Sequence, residues 1–109
     1  ITKPTRWISG QSRLPAGAVP LATDKPGSVV CLMPAGRWVR WWPGTSSIES
    51  MPANTQADVV TCLAGHLGGN TGIAGVLGVS IRTVEAWRSG RAKLPIRVAM
   101  QIVAALKPL

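Results

Sequence analysis

Phenylalanine and tyrosine are absent from this chain, and acids and histidine are scarce, with four Asp plus Glu and one His in 109 residues. Any core must therefore draw its bulk from aliphatic side chains and from the five tryptophans. The acids Asp24, Glu49, Asp58 and Glu85 are scattered, and sequence offers no pair placed for general acid and base work. His66 follows Cys62 by four residues, a helical spacing open to a metal, but no third or fourth ligand lies near in sequence. The glycines at 65, 68, 69, 72, 75 and 78 are not followed by the Lys-Ser or Lys-Thr of a phosphate loop, and no strand pattern precedes them. They are expected at helix ends and close contacts, and neither an enzyme nor a bound metal or cofactor is expected. No apolar run approaches the roughly eighteen residues of a membrane span. The chain opens at Ile1 without a methionine, as if residues had been removed or left out ahead of it, and carries no signal-peptide pattern.

What the chain has in excess is positive charge. Twelve Lys plus Arg give a formal net charge of +8 and a pI near 11.3, the electrostatic footprint of a polyanion binder. Distribution says more than the total. Residues 80–109 hold six cations (Arg82, Arg88, Arg91, Lys93, Arg97, Lys107) against Glu85 alone, whereas residues 54–79 hold no Lys or Arg. A merely soluble cationic surface would not account for that clustering. The length fits one compact domain or two very small ones, and an apolar fraction of 46% is ample for a core.

Residues 70–95 carry the spacing of two short helices joined by a tight turn, the second helix followed by a cationic loop. Ala74 is the small residue expected where the helices touch, and Gly78 the turn residue able to take a left-handed backbone. Ile73 and Leu77 form the apolar stripe of the first helix, Val79 plugs the turn, and Val84 and Trp87 bury the second helix. Ser80 is its expected N-cap, bonding the backbone N–H of Arg82 or Thr83. An ordinary helical hairpin would share the glycine but has no reason to carry the basic loop.

At these residues the chain resembles the Cro and lambda-repressor type of helix-turn-helix regulators, and the likeness runs on through Trp87-Arg88-Ser89-Gly90-Arg91-Ala92-Lys93-Leu94-Pro95. It covers roughly residues 54–106. The resemblance implies a lambda-repressor-like four-helix unit that binds double-stranded DNA as a homodimer on an inverted repeat, typically as a repressor in a bacterial or phage-infected cell. It also implies a recognition helix ending at Gly90, a loop that grips phosphates, and Pro95 opening the next helix. Base readers are then Ile81, Arg82, Glu85 and Ala86, and phosphate contacts Thr71, Ser80, Thr83, Arg88, Ser89, Arg91 and Lys93. One position departs. Arg88 stands where relatives commonly carry an acid, which removes one partner of the family's intramolecular ion pair and adds a cation for a phosphate. A DNA-binding unit belongs in a reducing cytoplasm, so Cys31 and Cys62 are expected as free, buried thiols.

The first half reads differently. Pro4, Gly10, Pro15, Gly17, Pro20, Pro26 and Gly27 break any long helix in residues 1–28, leaving loops with short extended pieces, or partial disorder. Ser28–Met33 and Arg37–Trp42 read as a hairpin around Pro34-Ala35-Gly36, with Trp38, Arg40 and Trp42 on one face and Arg37, Val39 and Trp41 on the other. Those indoles either pack a small β core or form a platform on which single-stranded bases stack. Residues 45–53 read as a linker with one helical turn, because Ser46 and Glu49 have capping-box spacing before Pro52. Thr55 is the expected cap of a helix bearing Val59, Val60, Leu63 and Leu67, ended by Gly68-Gly69. A last helix is expected over about 96–106, with Val98, Ile102, Val103 and Leu106 inward and Pro108 as its stop.

The expected class is α+β: a Pro/Gly-rich β region over residues 1–53 and a helical DNA-binding unit over 54–109. A competing reading makes residues 1–53 a protein-interaction module, an antitoxin arm or a phage-encoded inhibitor, with the helices serving autorepression. Deleting residues 1–53 is expected to separate the two, lowering DNA binding only as far as dimerisation falls.

Overall fold

The structure, a computed structural model, describes residues 1, 3–4 and 14–106. Among the described residues five strands precede four helices: β1 Lys3–Pro4, β2 Val19–Thr23, β3 Val29–Leu32, β4 Trp38–Trp42, β5 Ser47–Ser50, α1 Thr55–Leu67, α2 Gly69–Leu77, α3 Ile81–Ser89 and α4 Ile96–Leu106. The strands form one antiparallel sheet in sequential order, so the molecule is α+β. Among the described residues no helix is long and apolar enough to cross a membrane.

The expected hairpin is β3–β4, in the register Leu32 opposite Trp38 and Val29 opposite Trp41. Its turn is closed by two 2.8 Å bonds, Gly36 N–H to the Met33 carbonyl and Met33 N–H to the Arg37 carbonyl, with Pro34 at the second turn position. β2 is an inner strand although it contains Pro20. The ladder shifts there, Pro20 opposing Cys31 and Ala22 opposing Val30, so the irregularity accommodates a residue without an N–H to donate.

Residues 47–50 correct the expected helical turn: they form β5, with Arg40 opposite Glu49. One turn of helix carries the full nucleation cost for one hydrogen bond, whereas β4 offers a ready ladder. Glu49 does not cap a helix but accepts from Arg40 Nη1 at 2.8 Å across the strands. Among the described residues one edge strand, β1, is Lys3–Pro4, and the other, β5, has all four residues exposed and includes neither Pro nor Lys.

The two faces alternate as the pattern requires. Val30, Leu32 and Trp38 join the core beneath the helices, and Val29, Cys31, Val39 and Trp41 form a second cluster with Leu14, Ala18 and Met33. Trp38 and Trp41 are 5% and 8% exposed, so these indoles are core residues and their faces are closed to bases. The first cluster crosses the chain's midpoint: Val19, Leu21 and Leu32 pack in one core with Val59, Leu63, Val98 and Ile102.

The four helices lie where periodicity placed them, with two corrections: Gly68 alone ends α1, Gly69 being the first residue of α2, and the start of α1 differs. Thr55 is not the cap but the first helical residue, and it is buried; Asn54 holds the cap position without a side-chain bond. α1 meets α2 through Gly68 alone, and a Cβ on Gly72 would stand 1.6 Å from the Leu67 carbonyl oxygen, so only glycine permits this approach. Pro95 opens α4, its carbonyl accepting from Ala99 at 3.0 Å. Pro108, the expected stop, lies outside the described residues.

Candidate nucleic-acid interface

α3 is seated from both ends and from beneath. At its start Ser80 is extended (φ −76°, ψ 155°) and its Oγ accepts the Thr83 N–H at 3.2 Å, while the two hydroxyls lie 2.9 Å apart. Gly78 makes the turn with φ +69°, and the Val79 N–H reaches back to the Ala74 carbonyl at 3.1 Å. Ile73, Ala74, Val84 and Trp87 are buried, and Leu77 and Val79 pack against the same core half-buried.

With Val84 and Trp87 inward, the opposite side of α3 faces solvent. Ile81 is 45% exposed, Arg82, Glu85 and Ser89 are exposed, and Ala86 is half-buried, so residues at i, i+1, i+4 and i+8 make one outward row. Ile81 is one of few large apolar residues left in water, a position that suits contact with another surface. Thr71 is exposed near the start of α2.

The basic loop follows Gly90, which ends α3 in the left-handed region (φ +84°). Arg91 and Lys93 are exposed, while Leu94 between Lys93 and Pro95 is buried and pins the loop to the core. Ser89 Oγ accepts from Arg91 Nε at 3.2 Å and donates to the Ala86 carbonyl at 3.2 Å, tying the first loop cation to the end of α3.

Arg88 is engaged within the fold. Its Nε donates to Thr61 Oγ1 at 3.2 Å and Nη1 to Asn70 Oδ1 at 3.0 Å, so the side chain braces α3 against α1 and α2. Both partners are neutral, a hydroxyl and a side-chain amide. Asn70 and Thr61 escaped sequence reasoning because nothing local marks them as partners of residue 88.

Gln56 also escaped it. This side chain, on a residue 6% exposed, donates from Nε2 to the carbonyls of Trp87 at 2.8 Å and Ala92 at 2.7 Å and accepts the Leu94 N–H on Oε1 at 2.9 Å. One signal was present: Gln56 sits one turn before Val59 and Val60 on the apolar stripe of α1, where a polar residue must find partners.

Other chemistry is sparse. His66 is exposed, its Nδ1 3.1 Å from the Cys62 carbonyl oxygen of its own helix, and no group of three His, Cys, Asp or Glu among the described residues is placed to hold a metal ion. Both cysteines are free; Cys31 is buried as expected, whereas Cys62 is only half-buried. Burial pushes the Cys31 thiol up to about 12, which keeps it protonated and inert. Comparison with known proteins finds no matching family model, no matching curated protein and no matching solved structure.

Proposed function

We propose that this chain is a sequence-specific double-stranded-DNA-binding regulator of transcription, a repressor that acts as a homodimer on an inverted repeat through a lambda-repressor-like helix-turn-helix. The observation that carries the reading is the outward row of α3: Ile81, Arg82 and Glu85 exposed on a helix whose other side is buried, beside the exposed cations Arg91 and Lys93.

On this reading α3 lies in the major groove with its N-terminal turn toward the base edges. Arg82 bonds guanine O6 and N7, Glu85 accepts from cytosine N4, and Ile81 or Ala86 meets a thymine methyl. Thr71, Arg91 and Lys93 take phosphates, with Ser80, Thr83 and Ser89 at the margins of the same surface. Arg88 serves first as the brace of α3, because its guanidinium already bonds Thr61 and Asn70. Stacking of single strands on the tryptophan strand loses support with the burial of Trp38 and Trp41. Cytoplasmic residence is part of the same proposal.

Selection of genomic fragments on the purified protein tests the reading. An enriched inverted repeat with half-sites about one helical turn apart is expected. Recovery of no motif, or a preference for single strands over duplex at one salt concentration, would overturn it.

A further inference from the structure

We infer that Gln56, a residue of α1 with no place on the outward surface, is the positioning residue that sets where the phosphate-gripping loop stands relative to α3; this rests on the DNA-binding reading. Each of its three bonds ends on backbone: the carbonyl of Trp87 in the last turn of α3, and Ala92 and Leu94 on either side of Lys93. One amide therefore spans the joint between the element that would read bases and the element that would hold phosphates. The Trp87 carbonyl is among the last four of α3, which lack helical partners, and it also accepts from Gly90 N–H at 3.2 Å. A second strut, Ala92 N–H to the Ala86 carbonyl at 3.2 Å, runs from the loop back to the helix.

Residues 90–95 lie between α3 and α4 without helix or strand of their own. Left loose, they would have to be ordered when DNA binds, and that entropy would subtract from affinity. With Ala92 and Leu94 bonded to α1, the backbone on both sides of Lys93 is ordered at folding, before DNA arrives. Because phosphate contacts fix register while base contacts specify, a loose joint weakens binding to every sequence and leaves the base preference of α3 in place.

The test is a cycle on a random-sequence duplex at a temperature where circular dichroism shows each variant folded. Gln56→Leu is measured in the parent and in an Arg91→Ala/Lys93→Ala background. Gln56→Leu should lower affinity about tenfold in the parent and less than twofold in the background that lacks the loop cations, since the residue acts through them. Amide exchange at Leu94 should quicken while exchange in α2 is unchanged. Equal losses in the two backgrounds would make Gln56 a folding residue only and overturn this inference alone; a parent that binds no duplex overturns the DNA-binding reading along with it. Should Gln56→Leu not fold, Gln56→Glu keeps the side-chain length and the bond from Leu94 while setting a carboxyl against the Trp87 and Ala92 carbonyls, and is read in the same cycle.

Discussion

At the scale of single residues, Arg82 and Asp24 show how differently two charged groups serve one molecule. Arg82 is exposed in the first turn of α3 and its planar fork can offer two parallel donors to one guanine. Arg82→Ala should cost about 1 to 3 kcal/mol on the selected site and erase the preference at one symmetric base position, with random duplex affected far less. Arg82→Lys should recover part of the affinity and less of the selectivity, because an ammonium lacks the fork. Binding-site selection on both variants checks this, and motifs identical to the parent's would move base reading to other residues. Asp24, half-buried just past β2, instead accepts from Arg40 Nε at 3.1 Å and also from Nη2, while Arg40 Nη1 reaches Glu49. The Arg40 guanidinium holds the Asp24 carboxyl below its ordinary value of 3.8. A depressed folded-state value means that this stabilisation is complete above the unfolded value and is lost as pH falls through the folded one. The melting midpoint of the parent should thus drop more steeply below about pH 4 than that of Asp24→Asn, read by thermal melts across acid pH.

At the scale of elements, the helices are rich in glycine for two separable reasons. A Cβ at Gly72 meets the Leu67 carbonyl at 1.6 Å, whereas one at Gly65 or Gly75 meets nothing within 4 Å. Gly72→Ala should therefore push α1 and α2 apart at a cost of about 1 to 3 kcal/mol or more. Gly65→Ala and Gly75→Ala, inside helices with open space, should each stabilise by roughly 0.5 to 1 kcal/mol. Denaturant melts of the three variants give the signs directly. The same elements show what a sequence makes legible. α2, α3 and α4 announce themselves through caps, glycines and 3.6-residue stripes, all of which act within a few residues. β5 does not, because four exposed residues become a strand only through β4 beside them. β2 is masked by Pro20, whose missing donor matters less at an irregular point of the ladder. The outward row of α3 was readable for the same local reasons as the helix itself. Gln56 was not, since its partners lie 31 to 38 residues away and only the folded chain brings them within bonding distance.

At the scale of the whole molecule, sheet and helices share one core, and the two halves of the sequence cannot be treated as separable in stability. Leu21 and Leu32 from the strands are as fully enclosed as Leu63 and Ile102 from the helices, within the same cluster. Leu32→Ala should cost about 2 to 5 kcal/mol and lower the protection of amides in α1 and α4 along with those in β3. Far-ultraviolet signal and tryptophan fluorescence should then report one coincident unfolding transition. Deleting residues 1–53 would strip the sheet from α1 and α4 and should unfold the helices, so point substitutions are the sounder way to ask what the β region does for DNA binding. Two transitions, or α1 protection untouched by Leu32→Ala, would count against a common core.

The exposed edge at β5 has a consequence for crowded solutions. A strand ladder grows wherever an edge leaves its N–H and C=O groups unpaired, and a sheet open at both ends can lengthen without limit. β5 presents four exposed residues, Ile48 among them, along such an edge. Two copies meeting there would continue one antiparallel ladder across both sheets.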